Sequence, residues 1–417
     1  MIVKNESAVI GRCLAAARGL IDYWVISDTG STDGTQDLIR QALDGIPGEL
    51  HEEPWVDFGH NRSLNLRHAR GRADYLLLLD ADLELRQDAA LPPLTREAYM
   101  LRHEGVTEYR IKRLVRGDLP WRYEGVTHEY LTCDRTDDQA SLDALVIVDH
   151  ADGGSKHDKF ERDERLLRAE FARDPGNGRT VFYLAQTLRD MGRTAESVEL
   201  YERRAAMGGW PEEVYFALYQ SGVLRARAAS AASVDAVDAV DATASPEPGP
   251  KVAVPHQGAA NGGSGGTVDL TWPAAMDALI RAWDARPQRL EACYELTSRL
   301  RVAGRYHAAH VFARAGLTAA RSGLPDDLLF VQPWIYRYGL LFEFSITAYW
   351  TGDFAASLRA CDELLARKDL PAAYREQTLA NREFALAKLP RRPSARSRSA
   401  KVITTRGGAV VASRANP

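Results

Sequence analysis

The stretch Tyr75-Leu76-Leu77-Leu78-Leu79-Asp80-Ala81-Asp82 constrains the fold more than any other. Four consecutive leucines ending in two carboxylates one residue apart read as a strand buried on both faces, as in a parallel sheet covered by helices. Ligands of such sheets gather beyond the carboxyl ends of the strands, which is where Asp80 and Asp82 would stand. Paired acids there suit a hard divalent cation, and Mg²⁺ held this way keeps positions open for substrate phosphates. A lone D-x-D recurs by chance and equally describes a polar strand end before a turn, so its meaning depends on what surrounds it.

The chain places similar elements around this run. Ile2-Val3 is a short strand, cut as a misplaced start codon or a trimmed N-terminus would leave it. Val9, Ile10, Cys13, Leu14 and Ala17 recur at helical spacing. Tyr23 to Ser27 is a second strand running into Asp28-Thr29-Gly30-Ser31-Thr32-Asp33-Gly34-Thr35, a tight polar turn with a Ser/Thr/Asp cap opening the next helix. Such a helix start can receive a phosphate or an ordered loop. Residues 48–52 form a third strand, and Asp57-Phe58-Gly59-His60-Asn61-Arg62 leads a helix back to the acidic run. Beyond it, residues 108–115 read as a strand with one polar face, and Leu145 to Val148 as another buried strand.

Composition narrows the function classes. A chain of 417 residues holds two or three domains, and a formal charge of -4 gives no general pull toward nucleic acid. Cys13, Cys133, Cys293 and Cys361 match no zinc or redox spacing and follow no secretory signal, so reduced thiols in a cytoplasm are expected. No apolar stretch approaches the roughly 20 residues that cross a bilayer. The expected location is therefore cytoplasmic, with peripheral membrane attachment open.

Met1 to Glu6, the S-D-T-G-S-T-D-G-T segment at 27–35, Asp57 to Arg62 and Leu78 to Asp82, in this order and at these intervals, resemble a family 2 glycosyltransferase of the GT-A fold. Four weak motifs in register over about eighty residues reinforce one another. The resemblance implies a Rossmann-like α/β domain that binds a nucleoside-diphosphate sugar, a UDP-sugar before others, and mostly inverts at the transferred carbon. It places Asp28 against the nucleobase or ribose, with Thr29 where many members carry a second acid, and Glu6 and Arg62 in the nucleotide pocket. Asp80 would meet the ribose or the ion, and Asp82 the ion. His150, just past the last strand, resembles the metal-binding histidine of many such enzymes, and imidazole suits Mn²⁺ better than Mg²⁺. Inversion needs a base for the acceptor hydroxyl. Related enzymes carry it on a loop after the central strands, which selects Glu129, with Glu124 in reserve. His128 is a candidate substrate contact, against a packed histidine beside aromatics. His157 and Lys159 are candidates for a lid over the diphosphate.

From about residue 158 the pattern becomes all-α. Phe182 to Leu188 with Thr194 to Tyr201, Ala292 to Leu296 with Tyr306 to Ala309, and Phe344 to Trp350 with Phe354 to Leu358 each give a helix, a glycine-bearing turn and an alanine-centred helix. These are similar to tetratricopeptide repeats, which stack into a curved array whose surface can take a protein partner. The expected division is 1–157 transferase domain, 158–227 and 268–389 helical array, 228–267 disordered insertion, and 390–417 disordered basic tail, the last with seven basic residues and no acid. The leading expectation is a metal-assisted glycosyltransferase using Mn²⁺ or Mg²⁺ on an acceptor that is a glycan, a lipid-linked glycan or a protein. The competing one is a non-catalytic repeat scaffold with a degenerate transferase domain. A nucleotidyltransferase ranks last, because no glycine-rich, lysine-bearing phosphate loop is present.

Overall fold

The computed structural model describes residues 1–105, 109–150, 152, 159–237, 268–327 and 329–390. The N-terminal half opens as alternating strands and helices. Strand β1 (Ile2–Val3), helix α1 (Ile10–Ala17), β2 (Trp24–Asp28), α2 (Thr35–Ala42), β3 (Gly48–Glu52) and α3 (Phe58–Ala69) form a three-stranded parallel sheet of order β1-β2-β3 with its helices. Ile10, Leu14, Ile26, Ile39 and Leu43 fill the core between them.

A mixed five-stranded sheet follows, built from β4 (Tyr75–Leu77), β5 (Leu83–Gln87), β6 (Ala98–Glu104), β7 (Tyr109–Arg116) and β10 (Gln139–Asp149) in the order β4-β7-β6-β10-β5. A hairpin of β8 (Arg122–Glu124) and β9 (Tyr130–Thr132) lies between β7 and β10. This corrects the expectation for the leucine run. Only Tyr75 to Leu77 are a strand, and they pair antiparallel with β7 rather than continuing a parallel sheet. An apolar cavity of about 340 Å³, lined by Met1, Val25, Leu66, Leu76 and Leu78 among others, lies beside this strand, so its residues are only partly covered. Leu78 and Leu79 are buried, and the chain leaves the strand there to deliver Asp80.

The polar turn after β2 has a specific partner. Thr32 N donates to Asn5 Oδ1, Ser7 N to Asp33 Oδ2 and Glu6 N to Thr35 Oγ1, at 2.8 to 3.0 Å. Of the two roles open to this segment, it takes the ordered-loop one, tying the end of β1 to the start of α2. Gly34, not a side chain, is the N-cap, and Asp33 accepts from Thr35 N instead.

The C-terminal half is a helical array: α4 (Lys159–Arg173), α5 (Gly178–Asp190), α6 (Thr194–Ala206), α7 (Pro211–Val237), α8 (Trp272–Ala285), α9 (Glu291–Val302), α10 (Tyr306–Ala319), α11 (Leu340–Trp350), α12 (Phe354–Ala366) and α13 (Ala372–Lys388). Each of the three expected repeats closes its first helix identically. Gly192, Gly304 and Gly352 adopt φ of 76°, 71° and 86°, and the next N–H reaches back to the carbonyls of Leu188, Leu300 and Ala348. This Schellman closure is why glycine recurs at those turns. Helix α7 runs through Val237, ten residues into the segment read as an insertion. Residues 238–267, the tail after 390, and His157 lie outside the described residues.

The two halves share a core. Val126, from the loop between β8 and β9, packs against Leu167, Leu184 and Leu188 of α4 and α5.

Candidate active site

Two hollows meet at one ion pair. The first, about 820 Å³, is lined by Ile2 to Glu6, Thr29, Trp55, Phe58, Arg62, Asp80 and Asp82, together with three residues of α4. The second, about 560 Å³, is lined by Arg62, Asp80, Lys112, Arg113, Tyr123, His128, Glu129 and Tyr130, with Arg179 and Tyr183 of α5. Arg62 and Asp80 belong to both.

The D-F-G-H-N-R segment places Arg62 at this junction. Asp57 caps α3 by accepting from His60 N at 2.7 Å, and Asn61 closes the preceding loop with Val56 N and Pro54 O, both at 2.9 Å. A Cβ on Gly59 would strike the Gly125 carbonyl, so the glycine allows α3 to seat against the loop that carries Glu129. Arg62 then lies 2.6 Å from Asp80 Oδ1 and 2.7 Å from Glu129 Oε1, and Arg113 lies 3.0 Å from the other Asp80 oxygen.

Burial acts on these charges first, and the partners decide the outcome. Burial would raise the Asp80 carboxyl, but Arg62 and Arg113 hold it well below the usual carboxylate range. Burial works against the Arg62 charge, yet Asp80 and Glu129 make it still harder to deprotonate. For Glu129 burial prevails over Arg62, and its pKa lies above that of an ordinary glutamate. A buried carboxylate with raised basicity beside an open hollow is the arrangement a general base needs.

The remaining predicted residues divide. Asp28 is buried at the tip of β2, where Oδ1 accepts from Gly30 N, Ser31 N and Gln36 Nε2, while Oδ2 is buried without a hydrogen bond. Thr29 donates its hydroxyl to Val3 O at 3.0 Å and lines the first hollow with Glu6. His128, at φ 51°, stacks on Tyr183 with centroids 4.3 Å apart and lines the second. Glu124 is engaged by Arg122 and the Tyr130 hydroxyl and lines neither hollow.

The expected metal ligands do not gather. Both oxygens of Asp80 face guanidinium groups, and His150 Nε2 pairs with Glu84 at 2.7 Å; Asp80 and Asp82 line the first hollow, and His150 lines neither. Among the described residues, the group of three whose ligand atoms all lie within 4.8 Å is His51, Glu53 and His68, away from both hollows. There the stacked imidazoles are each paired with a carboxylate, His51 with Glu49 and His68 with Glu53.

Sequence reasoning missed Arg113, Arg162, Arg165, Arg179 and Tyr183. Arg113 had no clear signal, because β7 is exposed from Tyr109 to Ile111 and buried only at Leu114 and Val115, so its facing is not legible from the residue pattern. The array residues had none, because helical periodicity does not tell which exposed face another domain covers.

Residues 1–156 match the family model described as Glycosyl transferase family 2. The N-terminal domain is a family 2 glycosyltransferase domain. Among curated proteins, the lipopolysaccharide core biosynthesis glycosyltransferase LpsC of Rhizobium meliloti (strain 1021) is 31% identical over 114 residues, which span 27% of this chain and 40% of that protein. A TPR repeat-containing protein of Synechococcus elongatus is 36% identical over 89 residues, 21% of each chain. The chain thus spans less than half the length of these relatives. The crystal structure of MamA aligns with 58% of this chain and 94% of its own at 15% identity, with a TM-score of 0.30. The family 2 domain is followed by a tetratricopeptide-like array, and no helix of the described residues is long and apolar enough to cross a membrane.

Proposed function

We propose that the family 2 domain transfers a sugar from a nucleoside diphosphate, a UDP-sugar first, to an acceptor hydroxyl, with inversion. The observation that carries this reading is the division of space at Arg62–Asp80: a hollow lined by Asp82, Glu6 and Thr29 on one side, and one lined by Glu129 on the other. In this reading the first hollow takes the donor and the second the acceptor. Asp28 lines neither hollow, but its neighbour Thr29 lines the first, and in this reading the unpaired Oδ2 of Asp28 accepts from a nucleobase or ribose donor there, since a buried acceptor left unmet is costly.

Glu129 takes the acceptor proton as its oxygen attacks the anomeric carbon, and Arg62 keeps that carboxylate oriented toward the junction. Lys112, Arg179 and the tyrosines Tyr123, Tyr130 and Tyr183 give the acceptor side both cations and phenolic groups, although His128 and Arg179 already lie against the Tyr183 ring, and this lining fits a glycan carrying a negative charge. Asp82 with the donor phosphates would hold Mg²⁺ or Mn²⁺, which needs only one or two protein carboxylates when a substrate supplies the other oxygens. When bound, such a cation offsets charge on the leaving diphosphate. The Asp80 and His150 arrangement gives no support to a three-ligand protein site. A cytoplasmic location agrees with four buried free cysteines, and a protein partner on the array belongs to the same reading.

Incubation with Mn²⁺ and individual nucleotide sugars, followed by measurement of nucleotide release, tests the proposal. Release from at least one donor, lost in Glu129→Gln, is expected. No release from any donor and no thermal stabilisation by any nucleotide would favour the scaffold alternative.

A further inference from the structure

The first hollow is lined from both halves of the chain. Three of its residues, Glu161, Arg162 and Arg165, come from α4, the first helix of the array. Arg162 and Arg165 are three residues apart and therefore share a helical face.

The helix is fixed where it meets the transferase domain. Asp163 is 1% exposed and accepts from Thr127 Oγ1 at 3.2 Å. Thr127 and His128 precede Glu129, and His128 Nε2 lies 3.9 Å from the same carboxylate. Beside it, the Arg162 guanidinium lies over the Phe58 ring, 5.0 Å from its centroid, and Phe58 N donates to Val126 O at 3.1 Å. The start of α4 is thus anchored to the loop that carries the candidate base and to the first turn of the helix that carries Arg62.

Charge gives this placement a consequence. Without α4, the hollow is lined by the acids Glu6, Asp80 and Asp82 against the cations Lys4 and Arg62; Arg62 already faces both Asp80 and Glu129, and Arg113 takes the other Asp80 oxygen. That lining offers a nucleoside diphosphate no surplus of positive charge. Helix α4 adds two guanidinium groups and one carboxylate, a gain of one positive charge; Arg162 Nε also lies 3.5 Å from Asp163, whereas Arg165 is exposed. Guanidinium is also the side-chain group whose fork matches phosphate oxygens in pairs.

We propose that Arg162 and Arg165 bind the diphosphate of the donor, so that the helical array is part of the nucleotide site. The proposal rests on the glycosyltransferase reading and extends it: the array selects for a diphosphate, while the residues of the family 2 domain contact the nucleoside.

The test uses the full chain and isothermal titration with UDP, GDP, ADP, CDP and dTDP in Mn²⁺, then with the nucleoside of whichever diphosphate binds most tightly. In Arg162→Ala/Arg165→Ala the diphosphate Kd rises about tenfold to a hundredfold, the nucleoside Kd changes less than about twofold, and the salt dependence of diphosphate binding weakens. Arg165 is exposed, so Arg165→Ala alone keeps the fold and is expected to weaken the diphosphate severalfold, with Arg165→Lys recovering part of the loss. Unchanged diphosphate affinity in Arg165→Ala and in a folded double variant, or an equal loss for the nucleoside, would overturn the diphosphate role of Arg162 and Arg165 alone. Failure of the unaltered protein to bind any of the five diphosphates would overturn the glycosyltransferase reading and that role with it.

Discussion

Replacing Arg62 with methionine removes the cation common to Asp80 and Glu129 while keeping much of its apolar stem. Asp80 retains Arg113 at 3.0 Å, so the loss falls mainly on Glu129, which gives up a partner at 2.7 Å. Breaking a buried ion pair from one side costs about 3–5 kcal/mol. Arg62, Glu129 and Asp80 keep 17%, 13% and 26% exposure, so solvent screens part of this, and about 2–4 kcal/mol is the expected destabilisation. At roughly 2–4 °C per kcal/mol for a domain of this size, Tm falls by roughly 4–16 °C. The sign with pH follows from Glu129. Its folded pKa is raised, and losing Arg62 raises it further, so the folded state is favoured with Glu129 protonated and that advantage fades as pH rises. The Tm deficit of Arg62→Met therefore widens between pH 5 and pH 8. Adding Glu129→Gln removes the stranded charge and recovers part of the loss. Thermal melts of both single variants and the double variant across this range test the reasoning. A Tm within about 2 °C of the parent, or strictly additive effects, would refute the coupled triad.

Other outcomes follow from the same geometry. Glu129→Gln lowers turnover by about 10²–10⁴ with donor affinity retained, as single-turnover kinetics and nucleotide titration would record. Because Glu129 must be ionised to act and burial raises its pKa, the acid limb of kcat/KM lies above the 4.5 of an ordinary glutamate. Asp82→Ala abolishes transfer while the circular dichroism melt stays unchanged; undiminished transfer with the same metal response would count against its role. In the array, Gly352→Ala meets nothing within 4 Å, so its cost is backbone strain at φ 86°, about 1–2 kcal/mol, read as a fall in denaturant midpoint.

The sequence carried the local elements well, because each announced itself within a few residues. The helix led by Asp57 to Arg62, the alternating strands and the glycine-bearing turns at Gly192, Gly304 and Gly352 are all short-range chemistry. It carried the sheet less well. The leucine run looked like the interior of a parallel sheet, but pairing is decided by β7, more than thirty residues later, and by the cavity beside β4. Site residues separated along the same line. Arg62, Asp80 and Glu129 meet because the start of α3, the chain leaving β4 and the loop between β8 and β9 come together, and Asp82 lines the first hollow beside them. Asp80 is surrounded differently from the expectation, since Arg113 approaches from a strand whose facing was not readable. The α4 and α5 contributions depend on how two domains dock, which leaves no local mark.

The most direct test of the account is a crystal structure of the full chain with Mn²⁺ and the nucleoside diphosphate it binds best. The account predicts the nucleoside against Asp28, the diphosphate between Asp82 and α4, and Glu129 across Arg62 facing an open second hollow. A nucleotide bound elsewhere, with both hollows left empty, would contradict it.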